Sequence, residues 1–465
     1  MTHRFDPTSL REYDIRGIVG EALGPDDARA IGRGFATLLR RAGGTRIAVG
    51  RDGRISSPEL EAALIEGLTT SGCDVVRVGM GPTPMLYYAE ATLEVDGGIQ
   101  ITGSHNPGNY NGFKMVFQHR PFFGEDIQTL GKMAAEGDWE EAETAGTITD
   151  YDIVDDYVGR LVAGYAGGAY RVGWDTGNGA AGPVIEKLVQ QLPGEHFTLF
   201  TEVDGNFPNH HPDPTEEKNL ADLKALVAEK QLDFGLAFDG DGDRIGAVDG
   251  QGRVVWGDQI LSILAEPLLK AEPGATVIAD VKASQALYDR VAELGGKPVM
   301  WKTGHSLIKT KMKETGAPLA GEMSGHIFFA DTFYGYYGYD DAQFAAVQLI
   351  RAVHSTGKSL TELKDAMPPM INTPEMRFQV SDTRKFAVID EVLARLEAEG
   401  ADVDRTDGAR VNTPDGWWLL RASNTQDVLV ARAEAKSRDG LDRLMAMIDA
   451  QLAASGLERG PQAGH

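Results

Sequence analysis

The sequence predicts three related α/β domains with mixed sheets and a smaller C-terminal α+β domain, arranged around a central cleft. Two observations carry this. First, TRIAVGRDGR (45–54), YRVGWDTGNG (170–179) and ATVIADVKAS (275–284) share one pattern. Each is a β-branched run that ends in Asp and a polar loop and leads into a helical stretch. Strand, loop and helix in alternation make βαβ units, whose sheets are buried by helices on both faces. Second, four other apolar runs, GGIQITGSHNP, FGLAFDGDGDR, APLAGEMSGH and WWLLRASNT, also end in polar loops. Ligands of open α/β sheets sit beyond the carboxyl ends of strands, so loops from four regions can converge on one crevice.

Taken in order, the helices after the three repeated strands are PELEAALIEGL, PVIEKLVQQL and QALYDRVAELG. From about residue 369 the order changes to INTPEMRFQV, a helix over KFAVIDEVLARLEAEG, strands GWWLLRASN and VLVARAEA, and a closing helix DGLDRLMAMIDAQLA. A chain of 465 residues exceeds one core. The expected domains are 1–150, 151–250, 251–368 and 369–465. The tail SGLERGPQAGH is expected to fray. The 56 glycines exceed the usual ~7% but are not periodic, which fits many sharp strand-to-loop turns and not collagen or disorder.

Composition excludes several functions. With 69 acidic and 45 basic residues, the formal charge is -24. A general nucleic-acid surface needs clustered Lys and Arg, so none is expected. Any anion site must be a local basic patch in an acidic field. The single cysteine, Cys73, permits no internal disulfide and fits a reducing compartment. The start MTHRFDPTSLREYD lacks an apolar signal region, and no run approaches the roughly 18 apolar residues of a membrane span. A cytoplasmic protein without membrane contact is expected.

The stretch FDGDGDR sets Asp239, Asp241 and Asp243 two residues apart, with glycines between them. That period puts three carboxylates on one side of an extended segment, and glycine lets the backbone bend so that they converge. Two unit charges ~4 Å apart repel by about 4 kcal/mol at an effective dielectric of ~20, so the trio calls for a cation. All-oxygen ligands fit Mg²⁺ ahead of Mn²⁺ or Ca²⁺. An EF-hand is excluded, because Arg244 and Gly250 stand where Gly and Glu are needed. Arg244 suits a phosphate partner. Three carboxylates leave coordination open. A phosphorylated Ser104, in TGSHNP, would supply both an oxygen and the electrophile for phosphoryl transfer.

Other motifs carry less. TGNGAAG matches the dinucleotide fingerprint G-x-G-x-x-G at Gly177, Gly179 and Gly182, with Glu202 downstream. Pro183 suits a first helical position, so the helix is expected to start after the third glycine, too late for that fingerprint. STGKS lacks the first glycine of a Walker loop. No G-x-S-x-G elbow surrounds Ser104, and His105 beside it does not make a Ser-His pair. NHHPDP, with His210 and His211, reads as a Pro-braced loop.

TGSHNP, DGDGDR, GEMSGH and RASNT, in that order, resemble the α-D-phosphohexomutase superfamily, most closely its bacterial phosphomannomutase/phosphoglucomutase branch. REYDIRG, NGFK, WKTGHSLIK and NHHPDP are similar to that branch too, and the resemblance runs from about Arg11 to Ala450. It implies a four-domain enzyme that interconverts hexose 1- and 6-phosphates through a 1,6-bisphosphate that turns over in the cleft. Ser104 would be the phosphoserine. Asp239, Asp241 and Asp243 would hold Mg²⁺ with it, and glucose 1,6-bisphosphate would be the activator. Arg244 matches a residue at the reacting end, and Tyr13 and Arg16 match residues near the phosphoserine. Glu322 and Ser324 match the pair that binds the sugar's 3- and 4-hydroxyls. Lys282, Thr303, Gly304 and His305 match further substrate contacts. Arg421, Ser423, Asn424 and Thr425 match the loop that grips the non-reacting phosphate.

Residue chemistry is compatible with these roles. A carboxylate beside a hydroxyl suits vicinal sugar hydroxyls, and a guanidinium binds phosphate bidentately. Lys114, His105 and His326 all stand as candidates for the general acid and base. Asp427 follows RASNTQ where relatives often carry Pro, and it is expected to point away from the ligand. Met323 favours glucose and mannose over the phosphoglucosamine branch, which usually has Gln there. Phosphoglucosamine mutase is the alternative within the family. A dinucleotide-dependent oxidoreductase and a non-catalytic divalent-cation binding protein are the alternatives outside it. The oligomeric state is not encoded in any of these features.

Overall fold

The computed structural model describes residues 2–424 and 426–458; Thr425 and 459–465, the end of the tail expected to fray, lie outside the described residues. Three of its four sheets repeat one strand order. In the first, Asp74–Met80 lies beside Arg46–Arg51, then Gly97–Ile101, then Tyr110–Phe117. In the second the order is Gly194–Leu199, Tyr170–Asp175, Phe234–Phe238 and Ile245–Asp249. In the third it is Lys297–Trp301, Thr276–Asp280, Leu319–Gly321 and Ile327–Phe329. Each time three strands run parallel and the fourth turns back antiparallel. The three polar loops around Ser104, Asp241 and Met323 are the three chain reversals between third and fourth strands. Topology therefore sets one polar loop at the same place in each repeat.

The third strands of the first two sheets, GGIQI and FGLAF, are buried at every position. Continuous apolar runs suit strands covered on both faces. Helices Ser57–Thr70, Gly182–Val189 and Gln285–Glu293 follow the repeated strands. The middle one begins at Gly182 itself and not after it, because Pro183 fits the first turn.

The fourth sheet is antiparallel, with Gly416–Ala422 paired to Val428–Ala435 along its whole length. Helices Asp382–Ala398 and Arg438–Ala454 give it a core of its own, built on Trp418, Leu420 and Leu429. The alternate residues Trp417 and Leu419 face the other way and pack on Val281 of the third unit. Arg410 seals that joint: its Nη1 donates to the carbonyls of Val281 at 2.7 Å and Ala283 at 3.0 Å, and its guanidinium lies 3.9 Å over the Trp417 ring. The fourth unit's loop RASN is again a hairpin connection at a strand end.

Candidate active site

Ser104 sits at the first reversal with a positive φ of 49°, a left-handed conformation uncommon for a residue with a side chain. Its N–H donates to Thr102 Oγ1 at 2.8 Å. Its hydroxyl donates to Asp239 Oδ2 at 3.1 Å and lies 3.2 Å from His105 Nδ1. The residue is only 2% exposed. Burial, followed by the charges of Arg244 and Arg16, holds the His105 imidazole well below its ordinary pKa. Arg16 Nη1 donates to Asn106 Oδ1 at 2.6 Å and thus steadies the same loop.

The acidic loop folds back on itself because Asp239 Oδ1 accepts the N–H groups of Asp243 at 3.0 Å and Arg244 at 3.1 Å. Asp239, Asp241 and Asp243 are fully buried, with ligand atoms within 4.8 Å of one another. Lys114 reaches in from Tyr110–Phe117, donating to Asp241 Oδ2 at 2.8 Å and also to Asp243 Oδ2. Burial opposes its charge, but Asp241 and Asp243 hold its pKa well above the usual value. One ammonium cannot neutralise three carboxylates. Burial and the charges of Asp241 and Asp243 push Asp239 well above the carboxylate range. Asp241 Oδ1 is buried without a hydrogen-bond partner. An all-oxygen donor set, a carboxylate pushed toward its protonated form and an orphaned buried oxygen fit a hard divalent cation.

An isolated backbone bridge ties Arg244 to His326 of the third unit. His326 Nε2 lies 3.2 Å from Asp243 Oδ1 and 3.5 Å from Arg244 Nε, and Nδ1 lies 3.0 Å from Glu322 and 2.9 Å from Ser324 Oγ. Burial would lower the His326 pKa, but Asp243 and Glu322 hold it up at about 9. Glu322 Oε1 accepts the Gly304 N–H at 2.6 Å. His305 opens helix His305–Thr315, its ring 6.0 Å from that of His326.

Tyr13 links three units: its hydroxyl donates to the Thr303 carbonyl at 2.7 Å and accepts from Asn424 Nδ2 at 2.6 Å. Arg421 Nε donates to Asp407 Oδ2 at 2.8 Å, and the same oxygen takes the Thr303 N–H at 3.1 Å. Ser423 Oγ accepts the Gln426 N–H at 3.1 Å. Lys282 Nζ donates to Glu375 Oε2 at 3.2 Å. Asp427 is exposed. Contacts thus run from Ser104 through the carboxylates and His326 to Glu322 and Gly304, and beside them from Thr303 through Tyr13 and Asp407 to Asn424 and Arg421, while Lys282 is turned to Glu375. Thr425 lies outside the described residues.

Sequence reasoning missed the residues that hold these groups. Asp52 Oδ2 accepts the Gly103 N–H at 3.1 Å, and Asp280 Oδ1 accepts the Met323 N–H at 3.0 Å. These are equivalent positions in the repeat, and the signal was the Asp that ends each repeated strand. Thr83 Oγ1 donates to Asp241 Oδ2 at 2.5 Å, and Asp407 and Glu375 hold Arg421 and Lys282; nothing local marks these three. The dinucleotide-like glycines have another use. A Cβ on Gly179 would lie 2.8 Å from the Gly240 carbonyl, and one on Gly182 2.0 Å from that of Thr201, so both permit backbone to pack on backbone. In NHHPDP, His210 Nε2 lies 3.0 Å from Asp175 Oδ2, a tie that keeps the loop against the second sheet.

Fold and site together define a multi-domain α/β enzyme whose buried serine faces a carboxylate trio across a domain boundary. The family models for phosphoglucomutase/phosphomannomutase match in sequence order: α/β/α domain I over residues 7–140, domain II over 156–252, domain III over 256–370 and the C-terminal domain over 375–451. A phosphomannomutase/phosphoglucomutase of Pseudomonas aeruginosa is 43% identical over 450 residues, covering 96% of each chain. A phosphoglucomutase of Neisseria meningitidis is 43% identical over 438 residues, covering 94% of each. The crystal structure of a phosphoglucomutase/phosphomannomutase family protein from Burkholderia thailandensis superposes with a TM-score of 0.91 at 42% identity, over 98% of this chain and 99% of that one. The chain belongs to the phosphoglucomutase/phosphomannomutase family.

Proposed function

We propose that the protein is a mutase that interconverts hexose 1-phosphates and hexose 6-phosphates, with glucose or mannose as the sugar, by passing a phosphoryl group to and from Ser104. The observation that supports this most directly is the 3.1 Å contact between the Ser104 hydroxyl and Asp239 of the buried trio. Asp239, Asp241, Asp243 and the phosphorylated Ser104 would hold Mg²⁺. When bound, Mg²⁺ supplies neutralisation of the charge on the transferring phosphoryl group.

The chain's own residues do the rest. Lys114 and Arg244 place positive charge beside the reacting end, where the overall charge of -24 would otherwise repel the substrate. His105, Lys114 and His326 are the groups placed to move a proton there. Glu322 and Ser324 receive the sugar's 3- and 4-hydroxyls, with Lys282, Thr303, Gly304 and His305 lining the approach. Arg421, Ser423, Asn424 and Thr425 grip the non-reacting phosphate. Donation to the substrate yields a hexose 1,6-bisphosphate, which reorients and returns its other phosphate to Ser104. Glucose 1,6-bisphosphate acts as activator by restoring the phosphate on an enzyme that has lost it.

Among the described residues no helix is long and apolar enough to cross a membrane. A cytoplasmic location is part of the same proposal and rests on the lone Cys73, which fits a reducing compartment. The test is ³¹P NMR with Mg²⁺, a trace of glucose 1,6-bisphosphate, and glucose 1-phosphate, mannose 1-phosphate or glucosamine 1-phosphate in separate tubes. A growing 6-phosphate signal with glucose or mannose is the expected result. Conversion of glucosamine 1-phosphate alone would move the protein to the other branch.

A further inference from the structure

We infer that Arg54 is a positioning residue that builds the serine loop and aims the Ser104 hydroxyl, an inference that rests on Ser104 as the phosphoryl carrier. Arg54 is 1% exposed, an unusual burial for a guanidinium. Its Nε donates to Asp52 Oδ2 at 3.1 Å. Nη1 donates to the carbonyls of Pro107 at 2.6 Å and Tyr110 at 3.0 Å, and Nη2 to those of Ser104 at 2.7 Å and Asn106 at 2.6 Å. A guanidinium has five N–H donors, and these contacts use all of them.

Four carbonyls of one short loop therefore point inward at one cation, a convergence that neither helix nor sheet would produce. Without Arg54 the Ser104 carbonyl would be a buried acceptor deprived of its guanidinium donor, while the part-buried carbonyls of Asn106, Pro107 and Tyr110 would lose the group that draws them together. The fit is close on its flat sides too. A Cβ on Gly103 would lie 2.4 Å from Arg54 Cζ, and the Phe207 ring centroid lies 5.3 Å from it. The Ser104 carbonyl is also closed in by the acidic loop, since a Cβ on Gly240 would lie 2.5 Å from it. With that carbonyl pinned and φ held at 49°, the hydroxyl is directed to Asp239. Left-handed backbone at a non-glycine residue persists where the surroundings over-determine it, and Arg54 supplies that determination here.

The repeat sharpens the point. Asp52 and Asp280 are equivalent strand-end residues, and each is followed two positions later by a cation, Arg54 or Lys282. Lys282 reaches Glu375 across a domain boundary, whereas Arg54 turns into its own loop. Lysine could not take Arg54's place, because a point charge with three donors cannot span four carbonyls and a carboxylate.

The test uses the full-length Arg54→Lys protein. With thermal melting confirming a folded chain, kcat is expected to fall about 10²-fold while KM for glucose 1-phosphate stays within about twofold. Uptake of phosphate by Ser104 from glucose 1,6-bisphosphate should slow by the same factor. A kcat within about threefold of wild type, or a loss confined to KM, would overturn the role. If Arg54→Lys fails to fold, Asp52→Asn replaces it, with the same kcat-selective signature at about tenfold; unchanged kcat there would equally overturn it. The wild type separates the two claims. A wild type that takes up no phosphate at Ser104 removes the phosphoserine itself, whereas an active wild type beside an unimpaired Arg54→Lys removes only the role of Arg54.

Discussion

The Ser104 hydroxyl donates to Asp239 Oδ2 at 3.1 Å, joining two loops whose residues are 135 apart in the chain. Both loops are reversals at the same position of a repeated sheet, so repetition of one fold sets the serine proposed to carry phosphate against the carboxylates proposed to hold a cation.

Removing that hydroxyl should stop the chemistry and spare the fold. Ser104→Ala loses two weak contacts, each contributing about 1 kcal/mol or less to stability. Its melting curve should almost overlay that of the wild type, while kcat drops about 10³-fold or more in a coupled assay. Substantial retained turnover would assign the phosphate to another residue.

Metal dependence should be absolute and should trace to the acidic loop. Chelation is expected to abolish turnover and added Mg²⁺ to restore it. Thr83 and Lys114 both bond Asp241 Oδ2 and leave Oδ1 bare. Asp241→Asn should therefore raise the Mg²⁺ concentration at half-maximal activity by about tenfold or more. An unchanged Mg²⁺ titration would place the cation elsewhere.

Arg421 is held by Asp407 at 2.8 Å, so its guanidinium is oriented before any ligand arrives. A charge-assisted hydrogen bond contributes about 1.5–3 kcal/mol, and Arg421→Gln should raise KM for the sugar phosphate about 10–100-fold. Asp407→Asn should raise it less, because Arg421 keeps its charge. Steady-state kinetics on the two variants would reverse this ranking if Asp407 only repels the phosphate.

Stability should carry a pH signature from Asp341. Its Oδ1 caps helix Ala342–Thr356 through the Phe344 N–H at 2.8 Å, and Oδ2 accepts the Tyr157 and Tyr336 hydroxyls at 2.9 and 2.5 Å. Burial raises its pKa from 3.8 to about 6, against the lowering effect of those bonds. The folded state then binds the proton more tightly than the unfolded one. This contribution is fully present below about pH 4 and is lost as pH rises through about 6, a change of order 3 kcal/mol. Denaturant melts of Asp341→Asn should lack that part of the slope between pH 4 and 6; an identical slope would rule Asp341 out as its source.

Much of the fold was legible because strand-end chemistry is local. The β-branched runs ending in Asp and the apolar runs ending in polar loops mark the parallel strands and the functional reversals, and the α/β class with an α+β C-terminal unit follows from their order. The carboxylate trio could be read from its period of two and its glycines. The supports were not legible, since Thr83, Asp407 and Glu375 act across sheet or domain boundaries and their partners are set by tertiary packing. Arg54 ends the strand-end segment TRIAVGRDGR, yet sequence cannot tell a cation that faces substrate, as Lys282 is proposed to do, from one turned into its own loop. Gly179 and Gly182 were ambiguous for the same reason, and Pro183 alone argued against the dinucleotide reading: a glycine that lets two backbones meet is spelled like one that lets a backbone approach a phosphate.

The most direct test of the central claim is intact-protein mass spectrometry with peptide mapping, after incubation with Mg²⁺ and glucose 1,6-bisphosphate and then with excess glucose 6-phosphate or buffer. The account predicts one added phosphate, located on Ser104, that persists in buffer and leaves on exposure to the hexose phosphate. A protein that converts glucose 1-phosphate to glucose 6-phosphate while Ser104 never carries phosphate would contradict it.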